Sequence, residues 1–268
     1  MSPRSDPLPD DLAVAELWRH PVKSLRGERV EEAAVGPAGM VGDRAWAVQG
    51  RDGRIRSAKS DARLLEARAW TDAGAVRVEL PDGTEGTAGD PALDVELSAW
   101  LGEPVRLVAA AEVERASFLM PADPVEGDDR EVELVSPAGT FFDGAVLHLL
   151  ARTVLARHAA GAGLPEGTWD VRRFRPNVVL AGGDDVDDLD GLLLGRDVTL
   201  GALPGRVHAR TGRCVLTTHA QPAGGGLPAL AVERDVLRHV RRVADGDLGV
   251  YLAPAARTTV RVGDPLTG

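Results

Sequence analysis

The sequence predicts a mixed α+β protein: a mainly antiparallel β-barrel with an N-terminal β-barrel lobe and a few helices packed outside. Three observations predict it. Short apolar stretches alternate with Gly, Pro and Asp turns along most of the chain, the pattern of many short strands. Only two stretches, 143–158 and 231–243, carry a sustained helical stripe. No strand–GxGxxG–helix unit occurs, and GxxxxGK[ST], HExxH and Gly-x-Ser-x-Gly are absent too, which argues against dinucleotide, P-loop, zincin and hydrolase sites. Strand-rich chains without parallel crossovers bury their apolar faces by packing or closing antiparallel sheets.

In chain order, residues 1–11 are rich in Pro and Asp and are expected to be a disordered lead. Residues 12–110 are expected to form the first lobe. Leu12–Leu17 alternates apolar and polar as a strand does, and Pro21 must break it, because proline cannot donate to a ladder. Glu28–Val35 resumes as a strand, Gly36–Gly39 turns, and Asp43–Val48 is a strand with Trp46 and Val48 on one face. Arg51-Asp52-Gly53 reads as a hairpin turn, as does Asp72-Ala73-Gly74 between Ala67–Trp70 and Ala75–Leu80. Asp94–Leu101 suits one short helix and Val105–Ala109 a strand. The acid-rich stretch 111–130 is the expected connection, and 131–268 the second lobe.

In that lobe Glu131–Val135 is a strand and Ser136–Gly139 a turn. Asp143–His158 reads as the clearest helix, with Val146, Leu147, Leu149, Leu150, Val154 and Leu155 as its stripe and Asp143 as its cap. In that reading His148 is packed; a site role for Asp143 and His148 is the alternative. Val171–Leu180 carries Arg-Phe-Arg-Pro-Asn and then an apolar strand; Asp184–Asp190 is an acidic loop. Asp197–Leu200, Arg206–Arg210, Leu248–Leu252 and Thr259–Val262 are strands, and Ala231–Val243 is a helix. Gly224–Gly226 is the only low-complexity tract.

Composition narrows the function classes. The 268 residues carry 41 acidic and 31 basic side chains, a formal net charge of −10, and such a surface repels nucleic acid while still allowing a local basic pocket. One cysteine cannot form an intrachain disulfide, a zinc ribbon or the thiolate set of an iron–sulfur cluster. No apolar run approaches the ~20 residues of a membrane span. The expectation is a cytoplasmic enzyme or binding protein acting on a small molecule, with no nucleic-acid or membrane partner.

That one cysteine, Cys214, follows Arg213 and precedes Val215-Leu216-Thr217-Thr218-His219. A thiolate beside a guanidinium is stabilised as the anion, the form that attacks electrophiles or binds soft metals. A lone cysteine is equally read as a small buried hydrophobe, and the sequence leaves both readings open. Three other stretches set basic and polar residues beside turn formers: His20-Pro21-Val22-Lys23-Ser24, Gly42-Asp43-Arg44 and Arg173-Phe174-Arg175-Pro176-Asn177. Lys, Arg, Ser and Asn together supply the charge, planar fork and fixed donors that a phosphate-bearing cofactor needs.

"HPVKSLRG", "GDRAWAV", "RFRPNVVLAG" and "GRCVLTT" occur in the order and at roughly the separations seen in the MOSC superfamily, which this chain resembles from about residue 12 to residue 265. The two-lobed form of that family includes the mitochondrial amidoxime-reducing component and bacterial relatives. The resemblance implies a molybdenum cofactor of the molybdopterin type, bound between the lobes. It implies Cys214 as the metal ligand, Arg213 and Thr218 flanking the metal, and Lys23, Ser24, Arg44, Arg175 and Asn177 holding phosphate and pterin. It further implies an oxidoreductase that reduces N-hydroxylated small molecules. Sulfur transfer through a persulfide on Cys214, a cofactor carrier and a metal-free tailoring enzyme are the alternative readings. The chain departs from the reductases after the double threonine, where a hydrophobic residue and Asp-Pro give way to His219-Ala220-Gln221-Pro222. Either His219 or Gln221 substitutes for the missing acid, or the substrate chemistry differs, or His219 is merely a loop residue. With no cysteines for a cluster and no nucleotide fingerprint, the chain implies a separate electron-donor protein or reductase.

Overall fold

The structure, a computed structural model, describes residues 6–123, 127–137, 139–165 and 167–268. It is mixed α+β, with five α-helices among the described residues and strands that pair almost entirely antiparallel. The largest sheet has eight strands. Leu266–Thr267, Asp197–Leu200, Leu203–Gly212, Asp247–Pro254, His148–Ala151, Val178–Ala181, Ala13–Arg19 and Glu28–Val30 lie side by side in that order. Its one parallel pairing joins His148–Ala151 to Val178–Ala181. Strands from both ends of the chain share this sheet, and Thr258–Arg261 returns to pair with Glu32–Gly36. Sheet membership thus cuts across the two expected lobe ranges.

The expected closed barrels are not found. The strand order of the large sheet does not close on itself; its two ends meet at an isolated bridge, Ala13 with Pro265, flanked by backbone hydrogen bonds between Val14 and Asp264, Gly263 and Val14, and Leu266 and Leu12. The N-terminal region is divided into small sheets, Trp46–Gly50 with Val105–Ala109, and Arg68–Asp72 with Ala75–Glu79 and Glu85–Thr87. Closure needs tilt and stagger that agree all the way round. The small N-terminal sheets, with strands of three to five residues separated by Gly and Asp turns, do not maintain such a register.

Three further expectations are corrected. Residues 6–11 are not a loose lead: Leu8 packs on the main core, Arg196 Nη2 donates to the Asp6 carbonyl at 2.6 Å, and Gly183 N–H donates to Asp11 Oδ1 at 3.1 Å. The same expectation for residues 1–5 lies outside the described residues. The helix expected over Asp143–His158 is bends and coil to residue 147, then the strand His148–Ala151, then a helix at Arg152–Ala162. Leu147–Ala151 is buried from every side, and a continuous apolar run suits a buried strand as well as a helix. The last helix runs Asp235–Ala244, starting four residues later than expected.

Two main cores result. One lies under the large sheet and includes Leu17, Leu147, Val178, Leu252 and Val260. The other belongs to the N-terminal region and includes Val22, Leu25, Val48, Leu64 and Leu97; Leu216 and Cys214 pack onto it from the far part of the chain. Gly249 joins the strands at the site. Its φ is +84°, and an added Cβ would lie 2.7 Å from the Leu149 carbonyl oxygen and against the His148 ring. Gly249→Ala is expected to destabilise the protein by about 2–4 kcal/mol, combining left-handed strain with overpacking. Urea unfolding of the two proteins measures it.

Candidate functional site

Local sequence shapes three turns that together build a cleft. Lys23 N–H donates to Trp46 O at 2.8 Å, Trp46 N–H to Pro21 O at 3.1 Å, and Arg44 N–H to His20 O at 2.7 Å. The His20–Ser24 and Gly42–Arg44 stretches are thereby zipped together. Ser24 and Arg44 adopt positive φ, 70° and 49°. The third turn follows the short helix Val171–Phe174, capped by Asp170, whose side chain accepts from Arg172 N–H. Arg175 ends it at φ 53° and ψ 49°, and Pro176 forbids its continuation. Of the five non-glycine residues at positive φ among the described residues, these three are sequence-predicted site residues. Left-handed strain in side-chain-bearing residues collects at functional sites.

Cys214 sits where the strand Leu203–Gly212 ends and a single 3-10 turn, Val215–Thr218, begins. Arg213 N–H donates to Gly246 O at 2.7 Å, and the Thr217 hydroxyl donates to Cys214 O at 2.9 Å. Behind this loop lies Arg173, 2 % exposed. Its guanidinium donates to four carbonyls, those of Thr168 at 2.8 Å, Thr217 at 3.3 Å, His219 at 3.1 Å and Ala231 at 2.7 Å.

The turns meet across a cleft of about 130 Å³. Of the nine residues singled out from the sequence, Lys23, Ser24, Arg44, Arg175, Asn177, Arg213 and Cys214 line it; Thr218 and His219 do not. Thr218 is buried behind the wall, its hydroxyl donating to Val215 O at 2.7 Å. His219 is half-buried, away from the cleft, and its Nε2 has no partner. Two lining residues are already engaged. The Asn177 side chain accepts from His148 N–H at 3.2 Å and donates to Trp18 O at 3.4 Å, stitching three strands together. The Ser24 hydroxyl oxygen accepts from Ala58 N–H at 2.9 Å, which leaves its proton free to donate.

The cleft also holds Lys59 and Tyr251, which the sequence reading passed over, and Asp143 and His148, whose first reading is as a helix cap and a packed residue. Asp143 caps no helix. It stands at the mouth, bridging the ammonium groups of Lys23 and Lys59, the latter at 3.0 Å. Both lysines lie over the Phe118 ring, at 4.1 and 4.9 Å from its centre. Burial alone would raise the Asp143 carboxyl, but the charges and hydrogen bonds of the two lysines hold it well below the usual carboxylate range. Burial lowers Lys23, whereas the charges of Asp143 and Cys214 outweigh burial and raise Lys59. Scarcity was a signal for these residues. The chain contains only two lysines and one tyrosine, and all three line the cleft with its one cysteine.

Cations dominate the interior. Arg44 is held by Asp43 and lies over Phe142, 5.7 Å from the ring centre. Arg213 Nη1 donates to Phe174 O at 2.9 Å. Arg175 Nη1 donates to Leu25 O at 2.7 Å, while its Nη2 is buried without a partner. Burial, then the charge of Arg44, pushes Arg175 down to about 9, so it remains cationic at neutral pH. His20 and His148 are pushed well below the ordinary histidine range, first by burial and then by nearby arginines, so both are neutral. Their folded values lie below the unfolded ~6.5, so the unfolded chain binds more protons as pH falls through that value. Stability is therefore expected to decline below about pH 6.5, by up to about 1.4 kcal/mol per pH unit for each histidine. Urea midpoints from pH 7.5 to 5 measure the slope, and His148→Gln should reduce it.

Comparison with known proteins bears on the same residues. The model for the MOSC N-terminal beta barrel domain matches residues 11–117, and that for the MOSC domain matches residues 138–267. A comparison with curated proteins gives no match. Among solved structures, the YUAD protein from Bacillus subtilis is similar at 11 % identity and TM-score 0.46, covering 95 % of this chain and 93 % of that one. YiiM from Geobacillus stearothermophilus is similar at 15 % identity and TM-score 0.32, over 46 % of this chain and 53 % of its own. Because the two domain models together span nearly the whole sequence and meet at the cleft that holds Cys214, the chain belongs to the MOSC-domain family.

Proposed function

We propose that the cleft binds a molybdenum cofactor of the molybdopterin type, with Cys214 as the protein ligand to the metal. We further propose that the protein is an oxidoreductase acting on N-hydroxylated small molecules. One observation carries this reading: a free, partly exposed thiol shares a cleft with Lys23, Arg44, Arg175 and Arg213, and Arg175 Nη2 is buried there with no protein partner. A buried cation with an unused donor fits an anionic ligand, and a thiolate fits a soft metal. When bound, the cofactor would supply the two-electron redox chemistry. The chain's own part is to bind and orient. Lys23, Arg44 and Arg175 offer charge to phosphate and pterin, and Ser24 offers its hydroxyl proton. Arg213 steadies negative charge beside Cys214. Asn177, Thr218 and Arg173 hold the walls. No His/Cys/Asp/Glu cluster among the described residues could hold a metal alone, so the cysteine would act together with the cofactor's own ligands. Electrons would come from a separate donor protein or reductase. No helix of the described residues is long and apolar enough to cross a membrane.

The test is elemental analysis of protein made in a cofactor-competent host, followed by turnover of an N-hydroxylated amidine with a chemical reductant. Bound molybdenum with turnover is the expected result. Metal-free protein that carries a persulfide on Cys214 would replace this reading with sulfur transfer.

A further inference from the structure

A second interlobe cavity, of about 470 Å³, lies next to the cleft and excludes Cys214. Its walls bring together two indoles, Trp18 and Trp70, and the guanidinium groups of Arg26, Arg68 and Arg175. Arg68 lies over Trp70, 4.5 Å from the ring centre, and is paired with Glu79. Arg26 and Arg175 have no carboxylate partner among the described residues. Arg26 donates to the carbonyls of Pro222 at 3.0 Å and Glu66 at 2.8 Å, and its Nε is buried without a partner. The His20 ring completes the wall. It is 3 % exposed and lies against the Pro176 backbone. The one carboxylate of the lining, Glu28, is ion-paired with Arg19, its Oε1 accepting from Arg19 Nε at 2.8 Å and Thr71 N–H at 2.9 Å.

The Gly224–Gly226 tract forms the roof. Gln221 and Leu230 exchange backbone hydrogen bonds, as do Gly224 and Leu227, so the segment folds into a tight turn over the arginines. An added Cβ at Gly224 would lie 2.8 Å from Arg26 Nη1, and one at Gly225 would lie 3.5 Å from Arg68 Nη1, at a φ of +59°. Glycine there lets the backbone approach the guanidiniums and leaves room beside them.

We infer that this groove is a second binding site and that it takes a planar aromatic anion. Indoles offer apolar area and a π-face to a flat ring, and guanidiniums offer bidentate, charge-assisted donors to a carboxylate. A buried neutral imidazole adds one more polar surface. Arg175 lines both cavities, so the groove's own recognition rests on Arg26, Arg68 and the two indoles, which the Cys214 cleft does not share.

The probe is 2-naphthoate, titrated into the full chain and followed by tryptophan fluorescence and calorimetry. Saturable one-to-one binding is expected, weakened about tenfold or more by Arg26→Gln and by Trp70→Ala, since each removes one of the two recognition elements. Cys214→Ala should bind the probe like the parent. Near-UV circular dichroism identifies any variant that fails to fold; Trp70 is only half-buried, so its variant keeps the test open if Arg26→Gln misfolds. The inference is overturned by any of four results: no saturable binding, equal affinity for neutral 2-naphthylmethanol or for inorganic phosphate, full affinity in the folded groove variants, or loss of binding in Cys214→Ala.

Discussion

Cys214→Ser is expected to abolish molybdenum retention and turnover while leaving the fold unchanged. The substitution changes one atom in a side chain that only partly packs on the N-terminal core, so the packing change is small. The chemical change is large. Thiolate is a soft ligand and at neutral pH a hydroxyl is protonated and hard. Losing even an outer-shell partner of a metal ligand commonly costs 10–100-fold in affinity, so losing the ligand itself should weaken retention by more than about a hundredfold. The measurement is the molybdenum-to-protein ratio after gel filtration, read beside the circular dichroism spectrum of both proteins. A serine variant with full metal content and full turnover would remove Cys214 from the site.

Arg173→Met is expected to lower stability by about 3–5 kcal/mol, the range for removing a buried charged group from its hydrogen-bond network. One planar fork ties together the carbonyls of Thr168, Thr217, His219 and Ala231, which lie on three separate segments. Methionine fills similar volume but makes none of these bonds, and two of the freed carbonyls belong to the loop that presents Cys214. Denaturant unfolding gives the stability change. Arg173→Lys should recover only part of it, because a single ammonium lacks the spread of the guanidinium fork. A loss under about 1 kcal/mol would mean that solvent or neighbouring groups satisfy these carbonyls as well as the arginine does.

Much of the site was legible because its parts are local. Pro21, Pro176 and the Asp-Arg pair announce turns, and turns are where side chains are presented. Cys214, Lys23, Arg44 and Arg175 were found that way and line one cleft. Thr218 and Asn177 stand in the same turn-flanked stretches and took their roles from the resemblance; one is buried behind the cleft wall and the other is committed to backbone hydrogen bonds. Lys59 lies in an unremarked Ser-Ala-Lys-Ser stretch, and Asp143 and His148 were read as parts of a helix. That reading failed because five consecutive buried apolar or half-polar positions carry no period by which to choose between helix and strand.

By itself, the sequence determined the strand-rich class, the places where the chain must turn, the shortage of cysteines that rules out a cluster, and the family. These follow from backbone sterics, proline chemistry and composition, which act within a few residues. Only the tertiary structure decided that the sheets stay open, that Asp143 meets Lys23 across 120 positions of chain, and that both lysines, the tyrosine and the cysteine share one cleft. Contacts of that separation are set by how whole sheets pack, because the loop entropy they cost is recovered only when both cores are formed.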